Sequence, residues 1–278
     1  MNLPWDELLL AVALAAYTLG ALALTVYFFS RDESFRKFGE PLAIVGCAAQ
    51  FAQLAVRFET THVWPLLNLY GSLSLFSAMS VAIFIGFAVR YRLWFAGGFV
   101  LALAAIFLAY GVTWYEGTMP PVPSLQSYWA KIHVPIVVSS YAAFLVAFVF
   151  SCIYLLKYYA QRARSAATAR WLESLPALPQ LDVIVYRAVA IGLPLISVGI
   201  ITGAMWAHEA WGAYWQWDPK ETAALFSWIV YLGYMHLHTR NAWRGLRTSW
   251  VSVIGFLSII FCYLGVNIWI SGLHSYKV

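Results

Sequence analysis

Eight long apolar runs, separated by short polar gaps, limit what this chain can become. They fall at roughly 8–29, 41–57, 69–89, 94–113, 135–157, 183–206, 222–238 and 248–270. A helix that crosses a bilayer needs about 20 predominantly apolar residues, and each run is long enough to be considered as such a span. The composition agrees. The chain is 62% hydrophobic and only 10% charged, whereas a soluble domain carries about 25% charged residues. The expected class is therefore all-α: a polytopic integral membrane protein with about eight transmembrane helices.

The net charge of +5 has a topological explanation. With the N-terminus outside, the segments near 30–40, 90–93, 158–182 and 239–248 fall inside. These segments and their flanks hold 13 of the 17 basic residues, leaving Arg57, Lys131, Lys220 and Lys277 outside. Basic residues collect on the cytoplasmic side of membrane proteins. The surplus therefore predicts an N-out, C-out orientation and no nucleic-acid partner. Met1 to Trp5 lacks the basic start of a cleaved signal peptide, so the first run is read as a retained helix. Cys47, Cys152 and Cys262 all lie within predicted spans and form no Cys-x-x-Cys pair. They are read as small buried residues, not as a redox or haem-attachment motif.

No stretch is long enough for a separate soluble domain, and one membrane domain over residues 1–278 is the simplest organisation. The inside connection near 158–182 reads as a short surface helix and a turn. The outside connection at about 114–134 contains Pro120, Pro121 and Pro123, which favour extended backbone.

The polar interruption from Trp206 to Thr222 is the chemically informative segment. It holds Trp206, Trp211, Tyr214, Trp215 and Trp217. An aromatic belt at the membrane surface accounts for one or two tryptophans, and so many suit a large flat ligand such as haem. Trp211 and Trp215 share a face if that segment is helical. Asp218-Pro219-Lys220-Glu221 reads as a helix start, with Asp218 as N-cap, Pro219 as first residue and Glu221 completing a capping box.

The orientation sorts the six histidines. His62, His133, His208 and His274 fall outside; His236 and His238 fall at the inner end of the seventh run. His133 and His274 lie at similar depth on the face that carries the tryptophans. Two imidazoles on opposite sides of an iron make a six-coordinate haem site, although a histidine at such a boundary also serves simply by bonding headgroups or backbone. His236 and His238 project about 200° apart on a helix, so at most one faces a given pocket.

These residues resemble a known family. Trp211-Gly212-x-x-Trp215-x-Trp217-Asp218 is similar to the WWD signature of membrane proteins that handle haem in cytochrome c maturation. The extension through Pro219-Lys220-Glu221-Thr222 resembles the CcsA/ResC branch of System II. So do His238-Thr239-Arg240, Gly255-Phe256, Gly265-Val266-Asn267 and Gly272-Leu273-His274-Ser275-Tyr276. Leu181-Asp182, Tyr186-Arg187, His62 with Pro65, Asn68-Leu69-Tyr70 and Ser72 fit the same pattern. The detailed likeness covers roughly 60–80 and 181–278, is weaker around His133, and over the first 55 residues is one of hydropathy only. Gly71 stands where the family often has an acidic residue, and His208 where it often has an amide.

The resemblance implies a haem-handling or export subunit of a cytochrome c synthase in the bacterial cytoplasmic (inner) membrane. Its substrate is haem b and its partner a CcsB/ResB-type subunit, with synthase (haem lyase) activity only in that company. It implies His238 as a ligand at an intramembrane site, and His133 and His274 as axial ligands in an outward pocket with Trp206, Trp211, Trp215, Trp217 and Asp218. Apocytochrome c supplies the Cys-x-x-Cys-His segment, and a thioredoxin-like protein is a further possible partner that keeps its thiols reduced. Two other classes share the gross pattern. A membrane b-type cytochrome places paired histidines deep within facing spans, and this chain has no second deep pair. A transporter without haem uses polar groups near the midplane, where this chain is poor in charge.

Overall fold

The computed structural model describes residues 5–66, 68–115, 123–163, 173 and 175–270. Among these there is no strand, and the helices follow the eight apolar runs. They are α1 (Trp5–Ser30), α2 (Glu33–Thr61), α3 (Leu69–Tyr91), α4 (Gly97–Val112, entered through a 3-10 turn at Trp94–Ala96), α5 (Tyr128–Arg162), α6 (Leu178–Trp211), α7 (Pro219–His238) and α8 (Leu246–Trp269). Seven are long and apolar enough to cross a membrane; α7 is the one that falls below that apolarity.

Several helices outrun their apolar runs. α5 has 35 residues and α6 has 34, which at 1.5 Å per residue is about 50 Å. The hydrocarbon core is about 30 Å thick, so both helices carry polar turns beyond it. Both ends of the 158–182 connection are helix for this reason, formed by the end of α5 and the start of α6. Its centre, 164–172 and 174, lies outside the described residues. So do 116–122 of the proline-rich connection and all of 271–278, including His274.

The ends of the helices follow local chemistry. Asp32 accepts the N–H of Ser34 and caps α2, and its carboxyl is held below the usual range by that bond. Asn68 caps α3 by accepting from Gly71, 2.8 Å away. A side chain at Gly71 would run into the carbonyl oxygen of Pro65. The turn is thus built around glycine.

α1 packs along α2 and α4, and α3 packs against α4. α5 then joins this group to the second one through α3, while also packing against α6 and α8; α7 lies against α6 and α8. α5 is accordingly the most buried span. Apolar attraction between helices is absent in lipid, and association there relies on close backbone approach. The α5–α6 contact uses Gly192, Gly199 and Gly203. A methyl group at Gly192 would strike the Phe144 ring, and one at Gly199 would strike Val137.

Candidate functional site

Two polar constellations stand at opposite ends of the second helix group. α7 measures the distance between them: it begins in the tryptophan segment and ends at His238. Its 20 residues span about 30 Å.

At the tryptophan end, α5 starts at a Ser127 cap. The Ser127 hydroxyl accepts the Trp129 N–H at 3.1 Å and donates to Glu209 of α6 at 2.8 Å, so one side chain ties the start of α5 to the end of α6. One turn on, half-buried His133 faces α6. Its Nδ1 lies 2.8 Å from the carbonyl oxygen of Gly199. A carbonyl only accepts, so Nδ1 carries the proton shared in this bond. The close approach depends on Gly203, where a Cβ would lie 2.8 Å from His133 Cε1 and 2.9 Å from Nδ1.

An aromatic wall adjoins this imidazole. Trp206 is 7% exposed, its ring 5.7 Å from that of His133 and 5.6 Å from that of Trp211. Trp64 and Trp129 pack into the same cluster with Ala130. The indole N–H groups of Trp64 and Trp215 are buried without a hydrogen-bond partner among the described residues. Such donors are costly unless something completes them.

The segment after α6 departs from the expected pattern at one point. α6 stops at Trp211 because Gly212 adopts φ 81°, a left-handed cap. The following residues are irregular, so Trp211 and Trp215 do not share a helical face. Trp215 instead meets Trp217 edge-on at 5.5 Å. Trp217, at φ 57°, turns outward and is 69% exposed. The helix start is as expected. Asp218 Oδ1 accepts from Lys220 N at 3.0 Å and Glu221 N at 2.9 Å, and Glu221 reaches back to the backbone of Gln216 and Asp218. Lys220 Nζ donates to Asn267 Oδ1 at 2.7 Å, tying the start of α7 to the end of α8. A π turn at Phe261–Gly265 precedes that contact, and π turns often mark functional positions in helices. His62, at φ 55°, closes α2 through its backbone. His208 is exposed and stacks on Tyr214 at 4.2 Å.

At the other end, His236 and His238 separate as their spacing requires. His236 is exposed, near Arg240, while His238 is 6% exposed. His238 Nε2 lies 3.0 Å from Asp182 Oδ2, a residue itself 8% exposed. The other carboxylate oxygen accepts Gly245 N at 3.2 Å, and Arg244 Nε donates to the His238 carbonyl at 2.8 Å. Tyr186 stacks on the imidazole at 4.5 Å and 24°; Tyr234 lies at 5.9 Å and 22°. The Asp182–His238 pair joins residues 56 positions apart, and the sequence pattern did not reveal it. An aspartate at the very edge of the 183–206 run was the available signal, since burying such a charge requires a partner. Close by on α3 and α6 is an open groove of about 510 Å³, lined by Ile83, Phe87, Arg90, Tyr91 and Arg187. The guanidinium groups of Arg90 and Arg187 lie 5.3 and 4.8 Å from the centre of the Tyr91 ring.

With this geometry in view, comparison with known proteins is decisive. The family described as "Cytochrome C assembly protein" matches residues 5–274. This chain belongs to that family. Its membership extends through the first 55 residues, beyond the likeness read from motifs. The Cytochrome c biogenesis protein CcsA of Guillardia theta is 32% identical over 97% of this chain and 93% of its own length. That of Synechococcus sp. (strain CC9902) is 34% identical over 99% of this chain and 98% of its own. A solved structure of Cytochrome c Heme Lyase CcmF superposes with a TM-score of 0.70 at 18% identity, covering 95% of this chain and 47% of that one. That likeness is one of fold. The chain is thus a multi-pass membrane protein of the CcsA-type cytochrome c biogenesis family.

Proposed function

We propose that this family member carries haem across the membrane as cargo and presents it at the tryptophan end for attachment to apocytochrome c. The observation that carries this reading is His133. Its Nδ1–H is held by the Gly199 carbonyl beside the Trp206–Trp211 wall. A ligating histidine commonly donates its other ring N–H to a carbonyl or carboxylate, which sets the tautomer and the ring orientation. The donors present also fit the porphyrin: indole faces for its plane, and the unpartnered N–H groups of Trp64 and Trp215 for its polar edge.

In this reading the tryptophan end faces outside, as the distribution of basic residues favours, in a bacterial cytoplasmic membrane. Haem b enters at the His238 end, where Arg90 and Arg187 supply positive charge for a dicarboxylate, and a CcsB/ResB-type partner contributes the second axial ligand. At the tryptophan end His133 and His274 bind the iron from either side. The apocytochrome then brings its own histidine and two reduced thiols, the latter kept reduced by a thioredoxin-like protein. Each S–H adds across one haem vinyl group, sulfur to one carbon and hydrogen to the other, with no net change in oxidation state. The protein's contribution is orientation and exclusion of water. Asp218 serves this site by fixing where α7 begins.

The test is an absorption spectrum of the complex purified with its CcsB/ResB-type partner, in wild type and in His133→Ala and His274→Ala. Low-spin haem that weakens in both variants supports the reading. Wild-type complex that folds well and holds no haem overturns it.

A further inference from the structure

The two histidines are held by opposite ring nitrogens. His133 is held through Nδ1, His238 through Nε2. We propose that Asp182 is a positioning residue that grips His238 by Nε2, so that Nδ1 is the nitrogen offered to haem iron. This rests on the reading above, in which His238 meets haem.

Three elements converge on the grip. α6 supplies Asp182 and Tyr186, α7 supplies Tyr234 and His238, and the turn before α8 supplies Arg244 and Gly245. Each degree of freedom of the imidazole is addressed. The carboxylate fixes one edge, the Tyr186 ring stacks on the imidazole with the Tyr234 ring close by, and Arg244 holds the main chain. A buried polar pair of this kind is weak evidence for stability, because well-packed apolar residues often replace it without loss. Such redundancy around one ring points to its orientation as the purpose. Nδ1, in contrast, makes no hydrogen bond among the described residues.

The chemistry distinguishes the two ends. An imidazole that donates one N–H to a carboxylate becomes a more basic ligand at its other nitrogen. Nδ1, however, adjoins the ring carbon that bears Cβ, so a porphyrin bound there is crowded by the side chain's own stem. Nε2 has no such neighbour. His238 thereby combines a strong donor with a strained bond, which suits a site that must capture cargo and then release it. His133, gripped through Nδ1 by a neutral carbonyl, suits a site where haem is held while bonds form.

The experiment uses the intact complex with its partner, carrying His133→Ala so that haem at the His238 end is read alone. Asp182→Asn keeps shape and removes charge; Asp182→Glu keeps charge. The measurements are haem content, midpoint potential and the electron paramagnetic resonance spectrum of the ferric form. Asp182→Asn is expected to raise the midpoint potential, because the ligand becomes a weaker donor, with haem still bound. Asp182→Glu is expected to return it toward the parent value. Asp182→Ala is expected to weaken retention about 10- to 100-fold, the usual cost of losing such a partner. The parent should show the highly anisotropic low-spin signal of a hindered axial imidazole, and His238→Ala with added imidazole should lose that anisotropy. An unchanged potential in both Asp182→Asn and Asp182→Ala, while His238→Ala alters the spectrum, overturns the role of Asp182 and leaves His238 a ligand. A spectrum indifferent to His238→Ala overturns the ligand assignment itself, and with it this proposal.

Discussion

The tryptophan end and the His238 end place the same side chain in contrasting surroundings. His133 is half-buried, gripped by a backbone carbonyl and walled by indoles; His238 is almost fully buried, gripped by a carboxylate and lined by phenols. A carbonyl sets a tautomer without adding charge. A carboxylate sets it and also pushes electron density into the ring. The difference teaches that exposure and partner, more than residue type, decide what each histidine is suited to.

The largest expected effect breaks the comparison at one end. His133→Ala should nearly abolish haem attachment, with recovery on adding imidazole, while leaving haem at the His238 end in place; holocytochrome yield and absorption spectra measure both. Gly203→Ala comes next. The added methyl meets the His133 ring at 2.8 Å, and overpacking of this kind costs about 1–3 kcal/mol, so the imidazole should be displaced and haem retention at that end should fall. Gly233→Ala is the control, because nothing lies within 4 Å of a Cβ there. Equal loss in both would remove Gly203 from the description of the site.

Smaller effects sharpen the contrast. Asp218→Ala should cost about 1 kcal/mol of stability through its lost cap, whereas Asp218→Asn should retain the cap, since Asn serves nearly as well. Thermal denaturation of the purified complex reads the difference, and haem loss in Asp218→Asn at unchanged stability would instead give Asp218 a direct contact with the cargo. His236→Ala should change least, within about 0.5 kcal/mol as for exposed positions generally. A spectral effect as large as that of His238→Ala would cancel the division between the two.

Much of this architecture was legible in the sequence because its strongest determinant is one-dimensional. A run of about 20 apolar residues declares a span before any packing is known, and Asp218-Pro219-x-Glu221 declares a helix start from four residues. The spacing of His236 and His238 separated their faces in the same way. Helix ends were less legible, since α5 and α6 continue as helix through polar turns that hydropathy does not register. The shared face of Trp211 and Trp215 required a helix that Gly212 ends. The Asp182–His238 pair and the fit of Gly203 against His133 are contacts between distant segments, and a pattern along the chain carries neither. Gly199 and Gly203 are four apart, the spacing that lets helices approach closely in lipid, and that was the trace left in the sequence.

The single rod of α7 has a mechanical meaning. One terminus is set by the Asp218 cap and the Lys220–Asn267 bond, the other by the Asp182–His238 grip. A helix of this length bends little, so a shift that loosens one fastening is felt at the other. In the proposed function, this strut would link the tryptophan end and the His238 end mechanically.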